Sequence, residues 1–304
     1  MKQIRLNVPA KINLFLHITG RRTDGYHLLE SIFCPVDWYD QLSITTRETP
    51  GVSRTGGLAG LAPEDDLVVK AANSLLKKSG INAGLHIDLK KNIPSGAGLG
   101  GGSADAAYTL MAINELLQLN KKQDELMAIG ATLGADVPFF MGNGGAFVSG
   151  IGEFVEPLAL PELPIVIVKP SASIATVDIF SHPDLTREAS SVKILVFGFS
   201  QTSALLNFIE TEAKNQLQPV AELVCKQVVV AVSLLQRLPF EIAPDWVRMS
   251  GSGSSVFGVF SSKQKALQAE AALKQQCESS GLNQWLVKAA TTLPKASLES
   301  QAVQ

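Results

Sequence analysis

The sequence predicts a two-domain chain that mixes strands with helices, and three observations predict it. At 304 residues it is about twice the length that one domain usually organises, so two cores of ordinary size fit. Strand-like and helix-like periodicities follow one another along its length. Pro157, Pro161 and Pro164 crowd a short segment before the apolar run Ile165-Val166-Ile167-Val168, which places a boundary there.

The early segments read as strands broken by turns: Leu14-Phe15-Leu16-His17-Ile18, a polar turn over Thr19 to Gly25, then Tyr26 to Val36. Glu48 to Pro63 is a loop by its Gly, Pro and Thr content. Asp65-Asp66 supplies an N-cap for a helix from Leu67 to Lys78, and Lys77 and Lys78 suit the negative end of its dipole. Leu85, Ile87 and Leu89 alternate with His86, Asp88 and Lys90, the period of a half-buried strand. Ala107, Leu110, Met111, Asn114 and Leu117 then recur at helical spacing. A second helix over Gln123 to Leu133 is expected to end on Gly134 in the left-handed conformation. The second half should hold helices at Ala204 to Phe208, Pro219 to Arg237 and Lys263 to Ser279. A glycine turn at Ser250 to Ser255 leads into a strand at Val256 to Phe260. Beyond Thr292 the chain is polar and expected to fray. The expected division is thus residues 1–160, residues 161–290 and a polar tail at 291–304.

A net charge of -2 and a pI near 6.1 argue against a nucleic-acid surface and for a small-molecule partner. Cys34, Cys225 and Cys277 form no CxxC pair, which fits neither a disulfide framework nor a zinc site. The N-terminal segment alternates apolar and polar positions, as a strand does and a signal peptide does not. No apolar run approaches the roughly 20 residues of a membrane span. The expectation is a cytoplasmic protein without a membrane partner.

Between the strand ending near Lys90 and the following helix lies IPSGAGLGGGSAD, with five glycines in the seven residues from Gly96 to Gly102. A strand, a glycine loop and a helix N-terminus make an anion site, since bare backbone lets N–H groups converge on oxygen and the helix dipole adds positive charge. A flexible linker lacks both flanking elements. Gly96, Gly98 and Gly101 match GxGxxG as text, but the next element is a helix rather than the second strand of a dinucleotide fold. A Walker A loop needs Gly-Lys-Ser/Thr, and this loop has no lysine. The cation must come from elsewhere or be a metal, and Ser103 is placed to offer a hydroxyl to Mg²⁺.

Three segments in order, Pro9 to Leu14, Pro94 to Ala107 and Ser250 to Ser255, resemble the three motifs of the GHMP small-molecule kinases. Within that superfamily PAKINLFLHITGRRTDGYHLLES, GLGGGSADAA, LGADVPFF and SIATVDIF are similar to the branch acting on a cytidine diphosphate-linked methylerythritol, and the likeness runs from about Val8 to Lys288. The resemblance implies a two-domain α+β architecture with the active site in the cleft between the domains. It also implies transfer of the γ-phosphoryl of ATP, with Mg²⁺, to the substrate's 2-hydroxyl in the non-mevalonate isoprenoid pathway. On that reading Pro94, Ser95, Gly96, Ala97, Gly98, Leu99, Gly100, Gly101, Gly102, Ser103 and Ala104 bind the ATP phosphates. Kinases of homoserine, mevalonate or a sugar, and a catalytically silent nucleotide-binding relative, are the competing readings.

Asp136 lies in Gly134-Ala135-Asp136-Val137-Pro138, where Pro138 should hold Val137 extended. By spacing alone it reads as a turn residue; the resemblance makes it the catalytic base, accepting the hydroxyl proton. Lys11 sits in an apolar strand, where its ammonium must either reach the surface or meet a carboxylate. The resemblance pairs it with Asp136. Asn13, two residues on, shares its face of the strand and is either a surface amide or a substrate contact. Tyr26 and His27 follow a turn signal at Asp24-Gly25, and a ring with an imidazole is a base-recognition pair as readily as partly buried structure. The resemblance assigns them to the cytidine, with Phe180 as the opposing face and Thr176 nearby. Gln216 stands where relatives often carry an aspartate, which leaves the local hydrogen bonding open.

Overall fold

The computed structural model describes residues 2–187 and 202–294. Two long antiparallel strands, β1 (Gln3–Arg21) and β2 (His27–Arg47), are joined by a tight turn around Asp24-Gly25. The first runs on to Arg21, into the stretch expected to be a turn, because pairing with the second continues there, Gly20 opposite Leu28 and Arg21 opposite His27. β3 (Gly51–Gly56) lies within the stretch expected to be loop and pairs in parallel with β4 (Gly84–Lys90) at the sheet edge. Gly and Thr content hid it, since an edge strand needs backbone pairing more than an apolar face.

α1 (Leu67–Ser79) starts where expected: Asp66 caps it by accepting from the Val68 N–H at 3.1 Å, and Gly80 closes it in the left-handed region. α2 (Gly101–Leu116) begins inside the glycine run, and α3 (Gln123–Ala131) follows. The end of α3 corrects the sequence reading. The helix stops at Thr132 in right-handed geometry, and Gly134 has no positive φ; its N–H bonds back to the Gly130 carbonyl. Val137 is likewise helical (φ -62°, ψ -43°), not extended, despite the proline after it. It opens a 3-10 turn at Pro138–Met141, accepts from the Phe140 N–H and is wholly buried, so packing and pairing outweigh the local steric preference. β5 (Ala146–Gly150) and β6 (Phe154–Pro157) complete a six-stranded sheet.

β7 (Pro164–Lys169) opens the second half, followed by α4 (Thr176–Ser181), α5 (Thr202–Thr211), α6 (Gln218–Val224) and α7 (Lys226–Gln236). The single helix expected over Pro219 to Arg237 is therefore two, bent by 118° where Cys225 takes extended angles. Among the described residues no single helix is long and apolar enough to cross a membrane. β8 (Trp246–Met249), β9 (Val256–Val259), α8 (Lys263–Ser279) and β10 (Leu286–Thr291) follow, and the second sheet has the order β10-β7-β9-β8. The tail begins later than expected: Thr292 is buried and donates to the Leu163 carbonyl, and the Leu293 N–H donates to Pro35. The rest of that tail, 295–304, lies outside the described residues.

The two sheets are not independent bodies. One apolar cluster takes Ala10, Ile12 and Leu14 from β1, Ala97 and Leu99 from the glycine loop, Ile165 and Ile167 from β7, and Phe257 from β9. The loop is thus anchored at the seam between the halves by its own apolar side chains and by its Leu99 carbonyl, which accepts from the Lys11 N–H at 2.9 Å.

Candidate active site

The glycine loop needs left-handed backbone at three positions: Gly96, Gly98 and Gly100 have φ of +59°, +73° and +70°. At Gly98 space as well as conformation excludes a side chain, because a Cβ would stand 2.1 Å from the Ser250 carbonyl oxygen. The second glycine turn therefore buttresses the first. Ser250 Oγ donates to the Gly98 carbonyl at 2.8 Å, and the Ser255 N–H donates to the Ala97 carbonyl at 3.2 Å. Gly100 is the N-cap of α2 and offers no side-chain cap, so the first-turn N–H groups of that helix are left for another partner.

These groups border a cavity of about 530 Å³ whose walls come from both halves of the chain. Lys11 and Asp136 also line it. The lysine is 3 % exposed, with Nζ 3.5 Å from Asp136 Oδ2, 3.3 Å from the Gly98 carbonyl oxygen and 4.6 Å from the centre of the Phe33 ring. Burial holds its ammonium below the ordinary lysine range, against the pull of the Asp136 carboxylate. Of the two sequence alternatives for Lys11, the buried pair is the one formed.

Asn13 stands beside Lys11 as the strand period requires, but its amide is already committed. Oδ1 accepts from Lys11 Nζ at 2.6 Å and Nδ2 donates to Ser31 Oγ at 3.1 Å. Being 1 % exposed, it orients the lysine in this state. Ser103, in the first turn of α2, also lines the cavity, and its Oγ lies 3.8 Å from where a Cβ on Gly134 would stand, next to the Asp136 segment. Thr176 and Phe180 line the cavity, with Thr176 Oγ1 2.8 Å from Ser252 Oγ. Tyr26 and His27 do not line it. His27 packs on Phe180 with ring centres 5.1 Å apart and planes inclined by 36°, while Tyr26 is 60 % exposed. The expected trio is brought together only as the His27–Phe180 pair.

Two arrangements had no local signature. Lys91 Nζ binds both Asp40 and Asp105 Oδ2, the latter at 2.6 Å, directly beneath the loop; a Cβ on Gly101 would stand 3.3 Å from it. Asp40 Oδ1 also accepts from the Asn92 and Ile93 N–H groups, fixing the approach to Pro94. Burial works against the lysine's charge, but Asp105 and Asp40 outweigh it and hold the ammonium above its ordinary range. Arg54, 5 % exposed at the side chain, clamps the segment ahead of α1: it meets Asp66 Oδ2 at 3.3 Å and donates to the Gly56 and Leu61 carbonyls. Leu58, Leu61 and Leu67 on that segment give the cavity an apolar wall. The one hint in the sequence is Asp105, an acid among the inward alanines of α2.

A glycine loop opening on an uncapped helix, with a buried lysine against the loop and paired to a part-exposed aspartate, suits phosphoryl transfer of the GHMP kind. Family models match this chain as the GHMP kinases N terminal domain over residues 66–144 and as GHMP kinases C terminal over residues 201–279. A 4-diphosphocytidyl-2-C-methyl-D-erythritol kinase of Paracidovorax citrulli (strain AAC00-1) is 48% identical over 256 residues, 83% of this chain and 85% of that protein. A crystal structure of 4-(cytidine 5'-diphospho)-2C-methyl-D-erythritol kinase matches with a TM-score of 0.74 at 31% identity, covering 95% of this chain and 99% of that one. A homoserine kinase from Cytophaga hutchinsonii shares the fold, with a TM-score of 0.68 at 18% identity over 98% of this chain and 96% of that one. The chain belongs to the 4-diphosphocytidyl-2-C-methyl-D-erythritol kinase family of the GHMP kinases.

Proposed function

We propose that this protein transfers the γ-phosphoryl of ATP to the 2-hydroxyl of 4-(cytidine 5'-diphospho)-2-C-methyl-D-erythritol, in the non-mevalonate route to isoprenoid precursors. The observation that carries this reading is the Lys11–Asp136 pair, which lines one cavity together with the glycine loop and the open N-terminus of α2, the lysine in contact with the loop. The residues from Pro94 to Ala104 hold the ATP phosphates through backbone N–H groups. The apolar wall of Leu58, Leu61 and Leu67 suits the adenine ring. The active site then lies between the two halves, whose boundary near residue 160 is supported by one sheet ending at Pro157 and the other starting at Pro164.

Asp136 orients the acceptor hydroxyl and takes its proton late in a loose transition state. Lys11 holds that carboxylate in place, and its charge opposes the negative charge developing on the acceptor oxygen. Among the described residues no three His, Cys, Asp or Glu side chains gather as a metal cage. Among the oxygens that do line the cavity, the Ser103 hydroxyl and the Asp136 carboxylate fit Mg²⁺ carried on substrate phosphates, which needs only one or two protein oxygens. Ser103 would hold it there, and the ion supplies charge neutralisation on the transferring phosphoryl group. Tyr26, His27 and Phe180 receive the cytidine with Thr176 nearby, and Asn13 lies on the methylerythritol diphosphate side. A cytoplasmic setting is in keeping with three free cysteines.

The test is ADP release from ATP and Mg²⁺ with the cytidyl substrate, and in parallel with homoserine, mevalonate and galactose. Release with the first alone is expected. Turnover of homoserine in its place sinks the reading, and no turnover of any acceptor, with ATP still bound, favours the silent relative.

A further inference from the structure

We propose that Arg187 fixes the tautomer of His27, leaving the proton on Nδ1, and thereby selects a pyrimidine that presents an unprotonated ring nitrogen. The proposal rests on the reading that His27 faces the nucleobase. Arg187 Nε lies 3.4 Å from His27 Nε2. A guanidinium has only hydrogens to offer, so the ring nitrogen it meets must present its lone pair. The single proton of the neutral imidazole is then on Nδ1.

Arg187 is held for this purpose. Its Nη2 donates to the His182 carbonyl at 2.8 Å and its Nη1 to the Leu185 carbonyl at 3.3 Å, so the guanidinium is fastened to the segment after α4 while Nε points at the ring. The ring plane is in turn set by Phe180, on α4. The charged groups facing the imidazole are Arg21, paired with it in register across β1 and β2, and Arg187 itself; His182 and Asp184, on the Arg187 segment, face each other at 3.9 Å. Burial first, then the two arginines, hold His27 below its ordinary range, which keeps it neutral near pH 7.

The consequence is a reading rule. Cytosine offers an acceptor at N3, which a donor at Nδ1 satisfies; uracil carries a hydrogen there and would set two donors against each other. A site built to pair one edge rejects the analogue that leaves its polar group unpaired. Reversing the tautomer to suit uracil would turn Nε2–H against the arginine. Arg187 acts through His27 and is a positioning residue.

The experiment uses the full chain with ¹⁵N-labelled histidine, of which there are four, and long-range ¹H–¹⁵N spectra that separate the two neutral tautomers. The wild-type His27 should show Nδ1–H without nucleotide, and Arg187→Met should move it towards Nε2–H. In steady state, Arg187→Met should lose about tenfold of the preference for the cytidine-linked over the uridine-linked substrate, in KM, with kcat changing less than about twofold. Nε2–H in the wild type, or one tautomer in both proteins, overturns the proposal. Should Arg187→Met not fold, His27→Asn and His27→Gln decide: an Asn amide reaches the Nδ1 position and a Gln amide the Nε2 position, so Asn should keep more of the preference, and the reverse order refutes it. Cytidine diphosphate that leaves the His27 signals unmoved while the tautomers differ as expected counts against the base site, and so removes the selectivity half alone.

Discussion

Lys11 Nζ stands 3.5 Å from Asp136 Oδ2 and 2.6 Å from Asn13 Oδ1, so one buried ammonium ties strand β1 to the loop after α3. The carboxylate is a third exposed while the lysine is nearly sealed, which leaves Asp136 the member of the pair able to meet a hydroxyl.

Asp136→Asn keeps the shape of that side chain and removes its capacity to take a proton. The expected outcome is a fall in kcat of about 10²–10⁴-fold, the usual worth of a positioned base. ATP affinity, measured by calorimetry, should stay within a few-fold because the substitution leaves the loop and the N-terminus of α2 unchanged. Wild-type turnover in this variant would remove Asp136 from the chemistry.

The pH dependence follows from Lys11. Burial lowers its pKa, so its ammonium is lost at a lower pH than that of a free lysine, and the alkaline limb of kcat/KM should fall below the ordinary lysine range. Stability moves the other way in that window. Between the depressed native pKa and the ordinary lysine value of 10.5 the unfolded chain binds more protons at this site than the native one, so this group's contribution to stability rises with pH. A rate that declines there without loss of the folded signal separates titration from unfolding. Lys11→Met should abolish that limb along with most of the rate.

Gly98→Ala should be far costlier than Gly60→Ala, although both glycines have positive φ, +73° and +80°. At Gly60 nothing lies within 4 Å of the added carbon, and the cost is the left-handed strain of about 1–2 kcal/mol. At Gly98 the carbon meets the Ser250 carbonyl at 2.1 Å, and overpacking adds roughly 1–3 kcal/mol. Urea denaturation should rank them so, and Gly98→Ala should also weaken ATP binding by pushing the loop off its buttress. Equal midpoints would mean that the two turns do not lean on each other.

What was legible in the sequence was local. The strand β4, the glycine loop and α2 announce themselves by period and by glycine, and Asp66 announces the start of α1. Lys11 could be flagged as a charge in an apolar strand, yet its partner is 125 positions away and only the family resemblance named it. Lys91, Asp40 and Asp105 lie on three elements with no shared period, so no pattern joins them. Val137 misled because burial and the Phe140 N–H set its conformation against the proline's preference, and Gly134 because its N–H prolongs the helical pairing to the Gly130 carbonyl in place of a left-handed cap.

Gln216, in place of the aspartate expected from relatives, is not a broken contact. Its Oε1 accepts from the Ile18 N–H at 2.6 Å, and its own N–H donates to the Leu16 carbonyl at 2.9 Å. Its neighbour Asn215 donates through Nδ2 to the Met249 and Gly251 carbonyls, both at 2.8 Å. Gln216→Leu should cost about 1–3 kcal/mol by stranding the Ile18 N–H, whereas Gln216→Asp keeps an acceptor and should cost less than about 1 kcal/mol. Thermal denaturation of the two variants checks this, and a larger loss for the aspartate would contradict it.

Lys91→Met should be the most damaging single change beneath the loop. Asp40 is wholly buried and Asp105 is 2 % exposed, so removing the shared cation leaves two carboxylates facing each other with only the Asn92 and Ile93 N–H groups on Asp40 to offset them, a cost of about 3–5 kcal/mol. Asp105 Oδ1 already lacks a partner, and burial raises that carboxyl above the ordinary carboxylate range even with the lysine present. Without the lysine its native pKa should rise further. The native state then binds more protons than the unfolded chain above the ordinary carboxylate pKa, so Lys91→Met should lose stability as pH rises from about 4 towards neutrality. Adding Asp105→Asn removes one of the opposed charges, and the double variant should regain at least about 1 kcal/mol of the loss, measured as a coupling energy in a double-mutant cycle. Additive losses would show that the lysine holds the two acids independently and that the approach to Pro94 is fixed by Asp40 alone.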